Sequence, residues 1–166
     1  QAGHILNIGF NYTFHREDEK YFFDNILPTS TSKDAFKLLS DESVIDFNID
    51  YIKPLKYGRI ETGFKFRNRI IPTNMQFFPG TNSPLDDSAG GKATYEEIIP
   101  AVYGNYIYET NKIEAEVGLR LEYLDLEYEV NPNHPTYRTD GYSYFEPFPN
   151  FRFAYKINDD NKISLF

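Results

Sequence analysis

Histidine is the residue type of this chain that most often serves at active and metal sites. The three copies are His4, His15 and His134. Zinc sites are recognised by ligands at short, fixed spacings along the chain, and no two of these histidines stand at such a spacing. We therefore interpret all three as surface residues of strands or loops, and we expect no metal site.

Adjacent acidic residues offer a second kind of chemistry, because two carboxyl groups held a few ångströms apart can hydrolyse a glycosidic bond. The pairs are Glu96-Glu97, Asp86-Asp87 and Asp159-Asp160. Nothing in the sequence places a partner opposite them, so we interpret them as solvated turn and loop residues. Oxygen ligands near Asp86 suit Ca²⁺, but the spacing of an EF-hand is absent.

We expect no catalytic residue, no cofactor and no enzymatic activity, and the sequence points to no particular ligand-binding residue.

The composition indicates one β-rich domain. The chain has 166 residues, 40% of them hydrophobic, with 14 Tyr and 15 Phe, and aromatic residues favour strands. The net charge of −8 disfavours a nucleic-acid partner, because phosphate binding needs clustered Lys and Arg. The absence of Cys excludes disulfides, thiolate metal sites and a cysteine nucleophile.

One segment alternates apolar and polar residues over far more than an ordinary strand of about 5 to 6 residues. Residues 112–130 read KIEAEVGLRLEYLDLEYEV. Successive strand residues point to opposite faces, so this segment has two sets of side chains. One face carries Ala115, Val117, Leu119 and Leu121, and the other carries Glu114, Glu116, Arg120 and Glu122. The alternation slips by one residue at Tyr123, which predicts a β-bulge there.

Other alternating segments predict strands at about 4–14, 43–53, 59–70, 95–108 and 145–157, and a seventh strand that ends at Phe166. A long polar connection is expected after the first strand, and within it KDAFKLLSDE at 33–42 has the spacing of a short helix. Residues 71–94 and 131–141 are rich in Pro, Gly and Asn and predict two more loops. The remaining connections are short turns.

The long and short connections alternate strictly along the chain. In an antiparallel up-and-down meander, this order places every short turn at one end of the sheet and every long loop at the other, which is the layout of outer-membrane β-barrels. We therefore predict an all-β fold of about seven strands that forms part of a transmembrane barrel. A mean hydropathy of −0.56 is compatible with a barrel, because only alternate residues of its strands face lipid.

Three segments combine alternating strand residues with short turns: PLKYGRIETGFKFRNR at 54–69, YEEIIPAVYGNYIYETNKIEAEVGLRLEY at 95–123 and YFEPFPNFRFAYKINDDNKISLF at 144–166. Together they resemble the barrel part of TonB-dependent outer-membrane receptors, especially the outer-membrane β-barrel family of Bacteroidetes-type bacteria. The most specific part of the resemblance is GLRLEY followed, in order, by the Phe-Pro entry into a strand. The resemblance covers most of 43–166 and is weak over 1–42.

This resemblance implies a location in the outer membrane of a Gram-negative bacterium and a role in the barrel wall of a receptor that takes up a scarce solute. It implies the lipid bilayer, the rest of the barrel, a plug domain and the TonB complex as partners, and it leaves the solute open among iron chelates, glycans, peptides and vitamins. The plug has no counterpart in the sequence, so we expect residues 1–166 to be a single truncated barrel segment whose open sheet edges favour self-association. Glu114, Glu116, Arg120 and Glu122 would then face the lumen, and Ala115, Val117, Leu119 and Leu121 the lipid.

The alternation also fits a second class of protein, a soluble β-sandwich that binds carbohydrate. In such a module the apolar face would form the core between two sheets, and exposed aromatic residues would stack on sugar rings. A requirement for detergent would argue against this alternative.

Overall fold

The alternating segments pair with their neighbours in sequence to form one antiparallel sheet. The computed structural model describes residues 3–131, 133–135, 137–158 and 161–165. Phe166 and the Asp159-Asp160 pair lie outside these ranges. The strands are β1 (Ile5–Ile26), β2 (Thr31–Leu55), β3 (Gly58–Phe78), β4 (Gly91–Glu109), β5 (Ile113–Val130), β6 (Asp140–Lys156) and β7 (Lys162–Leu165). Their order in the sheet is their order in the chain, which confirms the predicted seven-stranded meander, and the sheet is open.

The two ends of the sheet differ in their connections. Residues 56–57, 110–112 and 157–161 connect strands at one end, which we call the turn end; residues 27–30, 79–90 and 131–139 connect them at the other, the loop end. At the turn end, Gly58 has a φ of 109°, and a Cβ there would lie 1.9 Å from the carbonyl oxygen of Ile107. Only glycine fits this close approach between two strands.

The first hairpin is much longer than the sequence pattern predicted. β1 continues to Ile26 and β2 begins at Thr31, so the expected long connection is a short turn. The predicted helix at 33–42 is wrong, because this whole segment is strand and pairs with β1. Phe36 stacks on Tyr21 with a ring-centroid distance of 4.7 Å, and Lys37 forms a 3.0 Å ion pair with Asp18. These contacts depend on cross-strand pairing, which overrides a weak local preference for helix.

Two further predictions about the strands also need correction. β3 continues through Pro72 to Phe78 and β4 begins at Gly91, so the predicted loop at 71–94 narrows to 79–90. The bulge predicted at Tyr123 is wrong, because β5 pairs with β6 without a break from Ile113 to Tyr128. The slip in the alternation therefore has another meaning: beyond Tyr123 the apolar residues of β5 lie on the opposite face of the sheet.

The continuous register gives each face its own set of side chains across the sheet. The face that we call the apolar face carries Phe10, Phe47, Phe64, Val102, Leu119, Phe151 and Ile163. The opposite face, the polar face, carries Asn11, Asp46, Lys65, Tyr103, Arg120, Asn150 and Lys162. Side chains of the apolar face are open to the surroundings; Phe10, for example, is 71% exposed.

Crowding on the polar face indicates that the sheet is concave on that side. A Cβ on Gly63 would lie 2.6 Å from the Tyr103 ring, and one on Gly118 would lie 1.8 Å from the side-chain oxygen of Asn105. A Cβ on Gly104, which belongs to the apolar face, would meet no heavy atom within 4 Å. Side chains converge where a sheet is concave and diverge where it is convex, so the apolar face is the outer one.

A single sheet does not agree with the sandwich alternative. A sandwich needs two sheets whose apolar faces pack on each other. Over the ranges that the structure describes, all seven strands belong to one sheet, and its apolar face remains uncovered.

Toward the loop end the polarity of the two faces is reversed. There the concave side carries Tyr21, Phe36, Met75, Phe77, Leu124, Leu126 and Val130. The convex side carries instead the ion pairs Arg16–Asp41 and Lys37–Asp18. The outer apolar band therefore ends before the strands do, and beyond it the outer surface carries ion pairs together with the exposed Phe22 and Ile26 of β1.

Candidate functional site

The polar face is the part of the structure with the highest density of functional groups. Its ion pairs run along and between strands and have N–O distances of 2.5 to 3.7 Å. Among the described residues they are Arg59–Glu61, Arg59–Glu109, Arg67–Asp46, Arg69–Glu42, Arg120–Glu122, Arg152–Glu116, Lys156–Glu114 and Lys162–Glu114. Most of these side chains are partly exposed, so each pair contributes modestly to stability. Their main effect is to cover the concave side with alternating charges.

A chain of hydrogen bonds joins β2 to β4, across β3, in the middle of this face. The Tyr103 hydroxyl of β4 donates to Oδ1 of Asp50 in β2, and Gly63 of β3 leaves the space between them. The Asn48 amide donates to the other oxygen of Asp50 at 2.7 Å. Both carboxylate oxygens of Asp50 are thus occupied, and the Tyr103 ring is held against the wall.

Two adjoining grooves lie on the polar face, and Lys65 and Arg120 line both. The larger has a volume of about 580 Å³ and is lined also by Asp46, Arg67 and Glu122. The smaller has a volume of about 350 Å³, and its other lining residues include Tyr103, Asn105, Phe148 and Asn150. This arrangement of charges, amides and aromatic rings can bind a polar solute.

The sheet places the predicted face residues as expected. Glu114, Glu116, Arg120 and Glu122 share the polar face with the grooves, and Ala115, Val117, Leu119 and Leu121 share the apolar face. The interpretation of Glu96 and Glu97 as loop residues is wrong, because both lie inside β4 and point to opposite faces. Asp86 does lie in a loop, where its side chain accepts a hydrogen bond from the Ser88 amide at 2.9 Å.

A buried carboxylate anchors the longest loop of the loop end. Asp34 of β2 is 3% exposed and accepts a hydrogen bond from the Gly80 amide at 2.8 Å and from the Ser32 hydroxyl at 3.0 Å. The Gly80 bond is the largest cause that holds the pKa of Asp34 below its ordinary value, and the Ser83 hydroxyl acts in the same direction. The loop 79–90 is thus attached to the wall by an ionised side chain.

A histidine joins the two larger loops of the loop end. His134 is 7% exposed, so its interpretation as a surface residue is wrong, whereas His4, just before β1, and His15, in the middle of β1, are exposed. Its Nε2 lies 2.9 Å from the carbonyl oxygen of Gly90, and its Nδ1 accepts from the Tyr137 amide at 3.0 Å. The neutral tautomer with hydrogen on Nε2 satisfies both bonds. His134 therefore holds 131–139 against the end of 79–90, next to a cavity of about 290 Å³ lined by Leu38, Met75 and Tyr128.

Sequence reasoning did not propose Lys65, Asp50 or Tyr103 as site residues, and it interpreted His134 as a surface residue. Lys65, Asp50 and Tyr103 do stand at positions of the predicted strands that belong to the polar face. Their proximity, however, depends on the register between β2, β3 and β4. For His134, no local pattern distinguishes a buried loop histidine from an exposed one.

Comparisons with known proteins place the chain in a family. Residues 1–166 match the model of the outer membrane protein beta-barrel family. No curated protein and no solved structure matches the chain. Within the described residues, no helix is both long and apolar enough to cross a membrane. The convex apolar face, the concave polar face and the family match lead to one conclusion: the chain belongs to the outer membrane protein beta-barrel family, and its location is the outer membrane.

Proposed function

We propose that this sheet is part of the barrel wall of a TonB-dependent receptor that takes up a scarce solute with energy coupled from the inner membrane. The observation that carries the proposal is the concave polar face, with paired charges and two grooves beside its centre. Such a face is suited to a hydrated lumen through which a polar solute passes. The resemblance of 54–69, 95–123 and 144–166 to Bacteroidetes-type receptors supports the same role.

The open edges of the sheet indicate which partners the wall needs. In hydrocarbon, every unpaired backbone N–H and C=O group costs several kcal/mol, so open sheet edges do not face lipid. We propose that β1 and β7 pair with further strands of the same barrel, that the apolar face contacts lipid, and that a plug domain occupies the lumen. Isolated from these strands, the sheet would self-associate through the same edges.

Energy coupling is the part of this proposal that distinguishes a receptor from a passive pore. The test compares uptake by the parent strain, a strain lacking the gene and a strain lacking TonB, with iron chelates, glycans, peptides and vitamins supplied in turn at limiting concentration. We expect one class of solute to be taken up only by the parent strain, and an uncoupler to abolish that uptake. Uptake that persists without TonB and with the uncoupler would show a passive channel instead.

Barrel closure is tested separately on the complete gene product. The outer-membrane fraction is run on a denaturing gel with and without boiling, because closed barrels resist unfolding in detergent until heated. We expect a band whose mobility changes on boiling. A protein that shows no change in mobility would contradict closure of this wall into a barrel.

A further inference from the structure

Lys65 differs from the other cations of the polar face. Each of the remaining Lys and Arg residues on that face of the strands forms an ion pair with an acid. Lys65 in the middle of β3 is exposed and has neither an ion pair nor a hydrogen bond within 3–131, 133–135, 137–158 and 161–165. Its ammonium group therefore offers three unused donors toward the concave side.

The two acids that line the larger groove with Lys65, and Asp50 on the neighbouring strand β2, are already bound to other groups. Asp46 receives two hydrogen bonds from Arg67, at 2.7 and 3.2 Å, and Glu122 receives two from Arg120, at 2.9 and 2.6 Å. Asp50 accepts from Asn48 and Tyr103. The lining of the larger groove holds three cations and two carboxylates, with Asp50 outside it, and both carboxylates of the lining are ion-paired with arginines, so Lys65 is the cation of this lining without an ion-paired acid in the part of the chain that the structure describes. A positive charge in a groove without its own counter-ion attracts an anion.

The smaller groove adds groups that suit a ring bearing hydroxyls. The Phe148 side chain is 45% exposed, and it lines the groove together with Tyr103. The Asn105 amide also lines it and has no hydrogen-bond partner in the part of the chain that the structure describes. An aromatic ring can stack on the apolar face of a sugar, and a free amide can bind a hydroxyl.

We propose that Lys65 is the anion-binding residue of a subsite on the lumenal wall that takes the carboxylate of a small ring-containing solute, of which a sugar acid is the model. Asn105 binds a ring hydroxyl, and Phe148 packs on the ring. This inference rests on the proposed uptake function, because it assigns a class of solute to the same lumen. Binding itself, however, needs no energy coupling and can be measured on the isolated protein.

The test is isothermal titration of the complete, detergent-purified protein with glucuronate, and with glucose as the uncharged control. We expect glucuronate to bind and glucose to bind more weakly. Lys65→Gln removes the charge and leaves a side chain of similar length, and it should weaken glucuronate binding by about tenfold, as the loss of one charged hydrogen bond does. Lys112→Gln, in an exposed turn, is the matched control and should bind as the parent protein does.

The competing source of a carboxylate is the protein itself, in a segment that fills the lumen. In that case Lys65→Gln would lower the unfolding temperature, and the parent protein would not bind glucuronate. That result overturns the proposal, as does glucuronate binding of equal strength in the parent protein and in Lys65→Gln. If glucuronate binds through Lys65 while uptake proves independent of TonB, the subsite stands and only the receptor function fails.

Discussion

At the residue scale, the polar face depends on positions where a missing side chain makes room for a neighbour. Gly63 lies beside the Tyr103–Asp50 hydrogen bond, and a Cβ there would be 2.6 Å from the Tyr103 ring and 2.8 Å from Oδ1 of Asp50. It would also lie 2.6 Å from the backbone oxygen of Ile49, which cannot move aside as a flexible side chain does. A single methyl group at this position therefore has a large effect on the wall.

Replacement of this glycine gives a matched pair of variants. We expect Gly63→Ala to destabilise the barrel by about 1 to 3 kcal/mol, the typical cost of overpacking, because the Tyr103 ring and the β2 backbone must shift. Gly104→Ala should be tolerated, since its Cβ meets no heavy atom within 4 Å on the apolar face. The measurement is the urea midpoint of the detergent-solubilised protein. Equal midpoints for the two variants would contradict the crowding described for the polar face.

At the element scale, the strands define the wall, while single side chains attach its loops. The Asp34 carboxylate binds 79–90 to the end of β2, and the His134 ring binds 131–139 to Gly90. Sequence patterns identified both segments as loops, but they did not show which side chains attach them.

Removal of the Asp34 carboxylate should release loop 79–90 without unfolding the sheet. We expect Asp34→Ala to increase hydrogen exchange at the Gly80 amide and proteolysis within 79–90, because the Gly80 amide loses its acceptor. Asp34→Asn, whose side-chain oxygen still accepts a hydrogen bond, is the control and should exchange more slowly than Asp34→Ala. Identical exchange in all three proteins would show that the loop is held by other contacts.

Attachment of this loop should also depend on pH. The pKa of Asp34 is lower in the folded state than its ordinary value, chiefly through the bond from Gly80, so the bond favours the ionised carboxylate. The stabilisation by the ionised Asp34 carboxylate is fully present at a pH above the ordinary Asp pKa of about 4. It is lost as the pH falls through the lower pKa that Asp34 has in the folded state. Proteolysis of 79–90 by an acid protease should therefore rise in the parent protein at a pH well below 4. In Asp34→Ala, cleavage should already be high at pH 5 and change little.

At the scale of the whole molecule, the apolar band crosses the paired rows of the sheet at an angle. One continuous row of partners contains Phe14, Ser43, Ile70, Glu96, Glu127 and Gly141. It begins with an apolar residue in β1 and ends with polar residues and glycine in β4 to β6. In β4 to β6 the apolar band ends at Ile98, Tyr123 and Phe145, which lie closer to the turn end than this row does. Strands that tilt against the membrane normal require this stagger.

The division of the two faces between lipid and lumen predicts opposite outcomes for adjacent residues. Phe10→Arg places a charge at the middle of the apolar band and should destabilise the barrel by about 2 to 4 kcal/mol. Asn11→Arg places the same charge on the polar face, directly opposite Asp46 in β2, and should be tolerated. The measurement is the fraction of each variant that assembles into a heat-modifiable form in the outer membrane. Failure of Asn11→Arg with normal assembly of Phe10→Arg would reverse the assignment of the faces.

The sequence by itself determined the central part of most strands, the meander and the two faces of the apolar band, because side chains two residues apart along a strand face the same environment. It also determined the side on which Glu114 and Leu119 lie. It was wrong about the first connection, which is the short turn 27–30. Only the tertiary structure decided that 33–42 is strand, that the faces exchange polarity at Tyr123, that His134 is buried and that Lys65 has no acidic partner among the residues that the structure describes. These four features depend on neighbours from other strands and loops. Local sequence patterns do not determine the pairing register that brings such distant residues together.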